Sequence, residues 1–218
     1  AFLIAFIGLW EFVSGRYVAP LFISSPSVVA VKLWAMIVNG KLAFHASYTA
    51  VHALAGFALG AIAGLIAGLA LGRWQRVAEV LDPFLMGFYS VPKIALAPLF
   101  ILWFGVGTEM KVLFVAMIVF LLVFLNTYTG VRNVSREQIA ILKLMRASEM
   151  QILRKVVLPS AITWVFTGLR LSVPYALIGA IMGEMLASNR GLGYLLADAS
   201  AQFDTGGAFA GLAAIIAM

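Results

Sequence analysis

The residues of this chain that could do chemistry are few and scattered. Cysteine is absent, which excludes disulfides and thiolate metal sites. The two histidines, His45 and His52, stand seven residues apart on or near one face of a helix, but no carboxylate lies close to them in sequence. Metal ligation needs a cluster of donors, and catalysis needs an acid, a base or a nucleophile brought together. Neither set can be assembled here from neighbours, so both histidines are expected to be interfacial, and no catalytic residue or metal site is assigned. The run RGLGYL at 190–195 resembles a phosphate-binding turn, yet it lies in an outward loop ahead of a membrane span, the wrong context for one. No GxxxxGKS/T loop occurs either.

The elements that must position these residues are set by the apolar composition. Apolar residues make up 63% of the chain and charged residues only 11%, against about 25% charged in an ordinary soluble domain. The chain therefore reads as an all-α, polytopic membrane protein. Residues 53–72 form an uncharged run of 20, and at about 1.5 Å per residue such a helix crosses a hydrocarbon core of about 30 Å. Six spans are expected, at roughly 1–14, 47–72, 84–104, 111–130, 160–187 and from 207 onward. The first and last are short, so both outer spans are expected to be truncated fragments of one transmembrane domain covering 1–218. Arg132, Arg136, Lys143, Arg146, Arg154 and Lys155 face only Glu137 and Glu149 in the connection 131–158, which places that connection in the cytoplasm. The excess positive charge is thus topological, and no nucleic-acid partner is expected. By alternation the turn after Gly72 is also cytoplasmic, while 15–46, 105–110 and 188–206 face outward.

Within the spans, Gly56, Gly60, Gly64, Gly68 and Gly72 recur every four residues and form a small-residue stripe for close helix packing, against a partner the sequence does not identify. Pro92 and Pro98 should kink or break the span 84–104, making Tyr89 and Lys93 candidates for the lining of a pathway. Asn126, Arg170 and Glu184 are the other candidates for that path. Arg170 and Glu184 are 14 positions apart, about 21 Å along a straight helix, and cannot pair within it.

The cytoplasmic insert 131–158 is too amphipathic to span. Its apolar positions predict a short helix over 137–145, and Ser148 with Gln151 forms a capping-box pattern that starts a second helix near Glu149. Pro159 then suits the first turn of the next span. Such a segment either rests on anionic lipid or docks into a partner's groove.

Six stretches together carry a specific resemblance: SSPSVV at 24–29, VPKIALAPLFILWFGVGTEMK at 91–111, LNTYTGVRNV at 125–134, ILRKVVLP at 152–159, GEMLASNRGLGYL at 183–195 and QFDT at 202–205. Over nearly its whole length the chain resembles the inner-membrane permease subunits of ATP-binding cassette importers, and more closely their nitrate, sulfonate and taurine group. The resemblance implies a six-helix fold with a cytoplasmic coupling helix at 137–153 that inserts into an ATPase subunit, its contacts falling on Ala140, Leu144, Arg146, Ala147, Ser148, Gln151 and Ile152. The family motif there reads Glu-Ala-Ala, a glycine four residues later, an isoleucine and a Leu-Pro pair. Ile152, Leu158 and Pro159 fit its back half. At the front, Ala140, Ile141 and Leu142 replace Glu-Ala-Ala, and Arg146 replaces the glycine, so the turn is expected to be made by Ala147 and Ser148.

The partners implied are a second permease subunit, expected to be identical, two ATP-binding subunits that hold ATP and magnesium, and a periplasmic or lipid-anchored solute-binding protein. The chain itself would bind no cofactor and would lie among the lipids of the bacterial cytoplasmic membrane. The substrate implied is a small anion such as nitrate, a sulfonate or taurine, with an aromatic or thiamine-precursor compound as the alternative. An ion-coupled secondary transporter would instead show inverted repeats with midplane ion ligands, and the charges here are too sparse for that.

Overall fold

The computed structural model describes residues 2–218, except for the side chains of Leu3, residues 75–79, Met86, Tyr89 and Arg136. In chain order its helices are α1 (Phe2–Val13), α2 (Pro26–Val38), α3 (Lys41–Arg73), α4 (Gln75–Ser90), α5 (Ala97–Phe104), α6 (Thr108–Arg132), α7 (Arg136–Leu144), α8 (Glu149–Ile152), α9 (Leu158–Ala187), α10 (Leu192–Ala201) and α11 (Thr205–Ala217). Three helical stretches are long and apolar enough to cross a membrane: α3, α6 and the continuous run Glu149–Ala187. They coincide with the spans expected at 47–72, 111–130 and 160–187. The remaining apolar helices are shorter.

The span expected at 84–104 is broken, as its prolines require. Val91, held extended ahead of Pro92, ends α4, and a single 3-10 turn over Lys93–Leu96 leads into α5, where Pro98 occupies the first turn.

Helices α3, α6 and α9 form the core. The glycines of α3 lie flat on α6: a Cβ added at Gly60 would come within 2.3 Å of the Ala116 carbonyl oxygen, and one at Gly68 within 2.7 Å of Thr127 Cβ. Gly56 meets Val115, Gly64 meets Phe120 and Val123, and Gly72 meets Val131, so residue numbers rise together and the two helices run parallel. Helix α9 runs the opposite way, with Gly168 on Asn126 and Gly179 on Val115 and Ile118. Because α3 and α6 are parallel, residues 74–107 must return from one end of the bundle to the other, which is what the broken α4–α5 segment does. Its anchor near the start is polar: Tyr128 Oη donates to Asp82 at 2.5 Å, with Arg132 alongside.

At the end expected to face outward, Ser25 caps α2 while Glu11 accepts from the Ser27 amide and hydroxyl at 3.0 and 2.7 Å. Lys32 of α2 pairs with Asp204, which also caps α11 through the Gly207 amide. The Lys32 ammonium, and then that amide, hold the Asp204 carboxyl below the ordinary range.

Candidate functional site

The end of the bundle expected to face the cytoplasm carries a folded knob. Ser135 caps α7 by accepting from the Gln138 amide. At the other end of α7 the Arg146 amide donates to the Lys143 carbonyl and the Ala147 amide to the Leu142 carbonyl, both at 2.9 Å, the two bonds of a Schellman turn. That turn requires a left-handed residue, and Arg146 supplies it with φ 58°. The expectation that Ala147 and Ser148 would make the turn is therefore corrected: the arginine adopts the backbone conformation of the glycine it replaces. The capping box of Ser148 and Gln151 is present, with bonds in both directions.

Beyond it the separate second helix that was expected does not end. A π turn over Leu153–Val157 carries α8 straight into α9. The widened turn accommodates Pro159, which has no amide to give and whose ring would crowd the carbonyl four residues back in a regular α-helix.

The knob is two-sided. Ile139, Leu142, Ala147 and Ile152 pack inward on Val131, Val134, Val157 and Ala161. Ile141, Leu144, Met145 and Met150 point outward, Leu144 with 84% of its surface exposed. Of the residues assigned to coupling, Ala140, Leu144, Arg146, Ser148 and Gln151 are exposed, Ala147 is half-buried and Ile152 is buried as an anchor. One ion pair ties the knob to α3: Arg73 Nη2 lies 3.2 Å from Glu149 Oε2, with their side chains 33% and 71% exposed.

The opposite end of the bundle carries a buried clasp that sequence reasoning missed. Glu184, near the end of α9, is completely buried. Its Oε2 accepts from the Thr49 hydroxyl at 2.8 Å and the Gly193 amide at 3.0 Å, and its Oε1 faces His52 Nδ1 at 2.8 Å, which assigns the proton to that nitrogen. The Thr49 hydroxyl in turn accepts from the Leu192 amide at 2.8 Å, and His45 Nδ1 accepts from the Gly191 amide at 3.0 Å. Three successive amides at the start of α10, which have no partner in their own helix, are thus capped by α3 and α9. The two histidines are therefore not interfacial but buried, their partners supplied by residues more than 130 positions away.

The glycines of RGLGYL are explained by the same knot. Gly191 has φ +106°, and a Cβ there would sit 2.1 Å from the Glu184 carboxyl carbon, while one on Gly193 would sit 2.3 Å from the Ile181 carbonyl oxygen. The signal in the sequence was His45, Thr49 and His52 at intervals of four and three on one face of α3, together with a glutamate shortly before two glycines.

The path candidates do not form one cluster. Asn126 Nδ2 donates to the Leu122 carbonyl at 2.8 Å, and its side chain packs on Gly168, toward the C-terminal end of α6. Glu184 lies at the outer level, Arg170 is exposed, and Lys93 opens the 3-10 turn half-buried. The side chain of Tyr89 lies outside the described residues. Among the described residues no group of three or more His, Asp or Glu could hold a metal ion.

Residues 56–218 match the family model described as the binding-protein-dependent transport system inner membrane component. The chain is 39% identical to the riboflavin transport system permease protein of Chloroflexus aurantiacus, over 90% of this chain and 74% of that one. It is 32% identical to the formylaminopyrimidine transport permease protein of Halalkalibacterium halodurans, over 96% and 83%. The taurine transport system permease protein of Escherichia coli is 28% identical, over 94% and 77%.

Proposed function

The chain belongs to the family of binding-protein-dependent transport system inner membrane components, and on that premise we propose how its two ends divide the work of import. It is the transmembrane permease subunit of an ATP-binding cassette importer, a multi-pass inner-membrane protein and not itself an ATPase. In our reading it forms one permease domain of six crossings, the broken α4–α5 segment supplying one of them. A second, identical permease subunit completes the path, two ATP-binding subunits hold ATP and magnesium, and a solute-binding protein delivers cargo to the outer face.

The observation that carries the coupling role is the two-sidedness of the knob. Its inner side is packed, so the outward row Ile141, Leu144, Met145 and Met150 is presented on a formed surface. A folded apolar row rimmed by Arg146, Ser148 and Gln151 suits a groove on a partner protein, because a rigid surface binds without first having to be ordered. Closure of the ATP-binding subunits would displace residues 137–153. Since α8 continues into α9, that displacement enters the bundle without crossing a loop, shifting the balance between inward-facing and outward-facing states.

The cargo we propose is a small anion of the nitrate, sulfonate or taurine kind, with Lys93 and Arg170 as the cations available to a path. The riboflavin and formylaminopyrimidine relatives favour a second reading, a flat aromatic solute. Co-purification from native membrane tests the assignment. An ATP-binding subunit should be recovered in equal ratio and lost with Leu144→Asp, and deletion of 140–152 should leave membrane insertion intact while abolishing uptake. Unchanged uptake after that deletion would overturn the reading. Uptake of taurine, nitrate and riboflavin by the reconstituted complex would separate the two cargo classes.

A further inference from the structure

We infer that Glu184 is a positioning residue that makes the outer turn and α10 part of the same rigid body as the coupling segment, so that movement of the knob appears undiminished at the outer face. This deepens the importer reading and rests on it. The run Glu149–Ala187 is one continuous helical stretch, at most about 58 Å long at 1.5 Å per residue, with the π turn at Leu153–Val157 and Pro174 inside it, the knob at one end and Glu184 near the other. Along its length the stretch lies on α6 through Gly168 and Gly179, and α6 in turn lies on the α3 glycines at contact distances that leave no room for a methyl group. Close-packed surfaces of this kind shift as units and do not deform continuously.

A loop after such a helix would ordinarily be free to lag behind it. Here the loop is short and its amides are spoken for. Gly191, Leu192 and Gly193 donate to His45, Thr49 and Glu184, and Thr49 bonds Glu184 and Leu192 at once. No member of this knot can move without leaving a buried donor unpaired, which is costly away from water. The glycines at 191 and 193 admit the carboxylate where any side chain would exclude it. Outside the knot, Arg190 donates to Tyr48 Oη at 2.6 Å and ties the same turn to the same helix. The first turn of α10 is therefore fastened to α3 and α9 together. By contrast, among the described residues α4 meets the bundle through the Asp82–Tyr128 bond and the packing of Leu85 against Phe124 and Tyr128, with Phe84 and Phe88 exposed beside them.

The chain has no cysteine, so spin labels can be placed one pair at a time. In complexes assembled with an excess of unlabelled second permease subunit, labels at Arg154 and Gln202 of one subunit, one on the long helical run and one at the end of α10, should keep a single narrow distance with and without ATP. Labels at Phe84 and Gln202 should change distance with ATP. Thr49→Val should broaden the 154–202 distribution and raise amide exchange at 191–193 roughly tenfold, the factor set by one buried hydrogen bond, without removing ATP hydrolysis. Glu184→Gln, whose carbonyl can still accept from Thr49 and Gly193 while its amide donates to a His52 ring that moves its proton to Nε2, should remain narrow and protected.

An ATP-dependent 154–202 distance in the parent, or a Thr49→Val complex as narrow and protected as the parent, would overturn the rigid-body inference. If neither pair responds to ATP in a complex that hydrolyses it, the importer motion fails, and the rigid body is then decided by the Thr49→Val exchange alone.

Discussion

At both ends of the bundle a carboxylate of the long helix reaches across to α3, but the surroundings are opposite. At the outer end Glu184 is fully buried and accepts from Thr49 and Gly193 while facing His52. At the knob end Glu149 is mostly exposed and, among the described residues, pairs with Arg73. A carboxylate without water must have every acceptor site answered, so the outer contact holds as a unit or not at all. An exposed pair exchanges readily with water and contributes little. The same pairing of helix to helix is therefore a fixed joint at one end and a releasable one at the other, and the knob sits at the releasable end.

Breaking the fixed joint should have the largest effect. Glu184→Ala strands the Thr49 hydroxyl, the Gly193 amide and the His52 ring nitrogen together, and removing one partner of such a buried set costs about 3–5 kcal/mol. The thermal unfolding midpoint of the detergent-solubilised complex should drop accordingly, while Glu184→Gln loses only a fraction of that. A Glu184→Ala complex as stable as Glu149→Ala would erase the contrast between the two ends.

The next largest effect tests whether the bundle between the joints is as tight as the contrast requires. Gly60→Val places a branched side chain against the Ala116 carbonyl and Val119, where even a Cβ would sit 2.3 Å from the oxygen. Overpacking at such a site costs roughly 1–3 kcal/mol, and it should separate α3 from α6. Gly8→Val, at a glycine with open space around its Cβ position, is the control and should be neutral in the same unfolding assay.

How much of this was legible in the sequence depends on the distance over which each feature is built. The glycine stripe, the break at Pro92 and the capping box at Ser148 each arise within a few residues, and their geometry could be read from spacing alone. The helix that meets the stripe could not, because α6 carries its half of the contact as ordinary Val, Ala and Thr. The clasp was hidden for a related reason. His45 and His52 have no acid near them in sequence, and it is the antiparallel return of α9 that delivers Glu184. The turn at Arg146 failed differently: residue type favours glycine there, and the packing of Ala147 against the apolar side of α7 overrides that preference.

That override makes a prediction at the releasable end. An L-residue held left-handed costs about 1 kcal/mol relative to glycine, and Arg146→Gly removes that cost. The α7 turn should become more resistant to proteolysis while the outer clasp is unaffected. Should the ATP-binding subunit be lost despite a firmer turn, the Arg146 side chain itself contacts that partner.

The smallest effect belongs to the exposed pair. Arg73→Ala should change the stability of the complex by less than about 1 kcal/mol, because the pair is open to water on the Glu149 side, where the side chain is 71% exposed. Its signature is salt dependence: in the parent, raising ionic strength should loosen the knob from α3, whereas in Arg73→Ala added salt should change nothing further, since screening acts on a charge pair already gone. Amide exchange over 149–157, followed at low and high salt, reads this directly, and the amides at 191–193 serve as the internal standard. If salt released the outer amides as readily as the inner ones, Glu184 would be behaving as a solvated surface charge, and the asymmetry between the two ends would not exist.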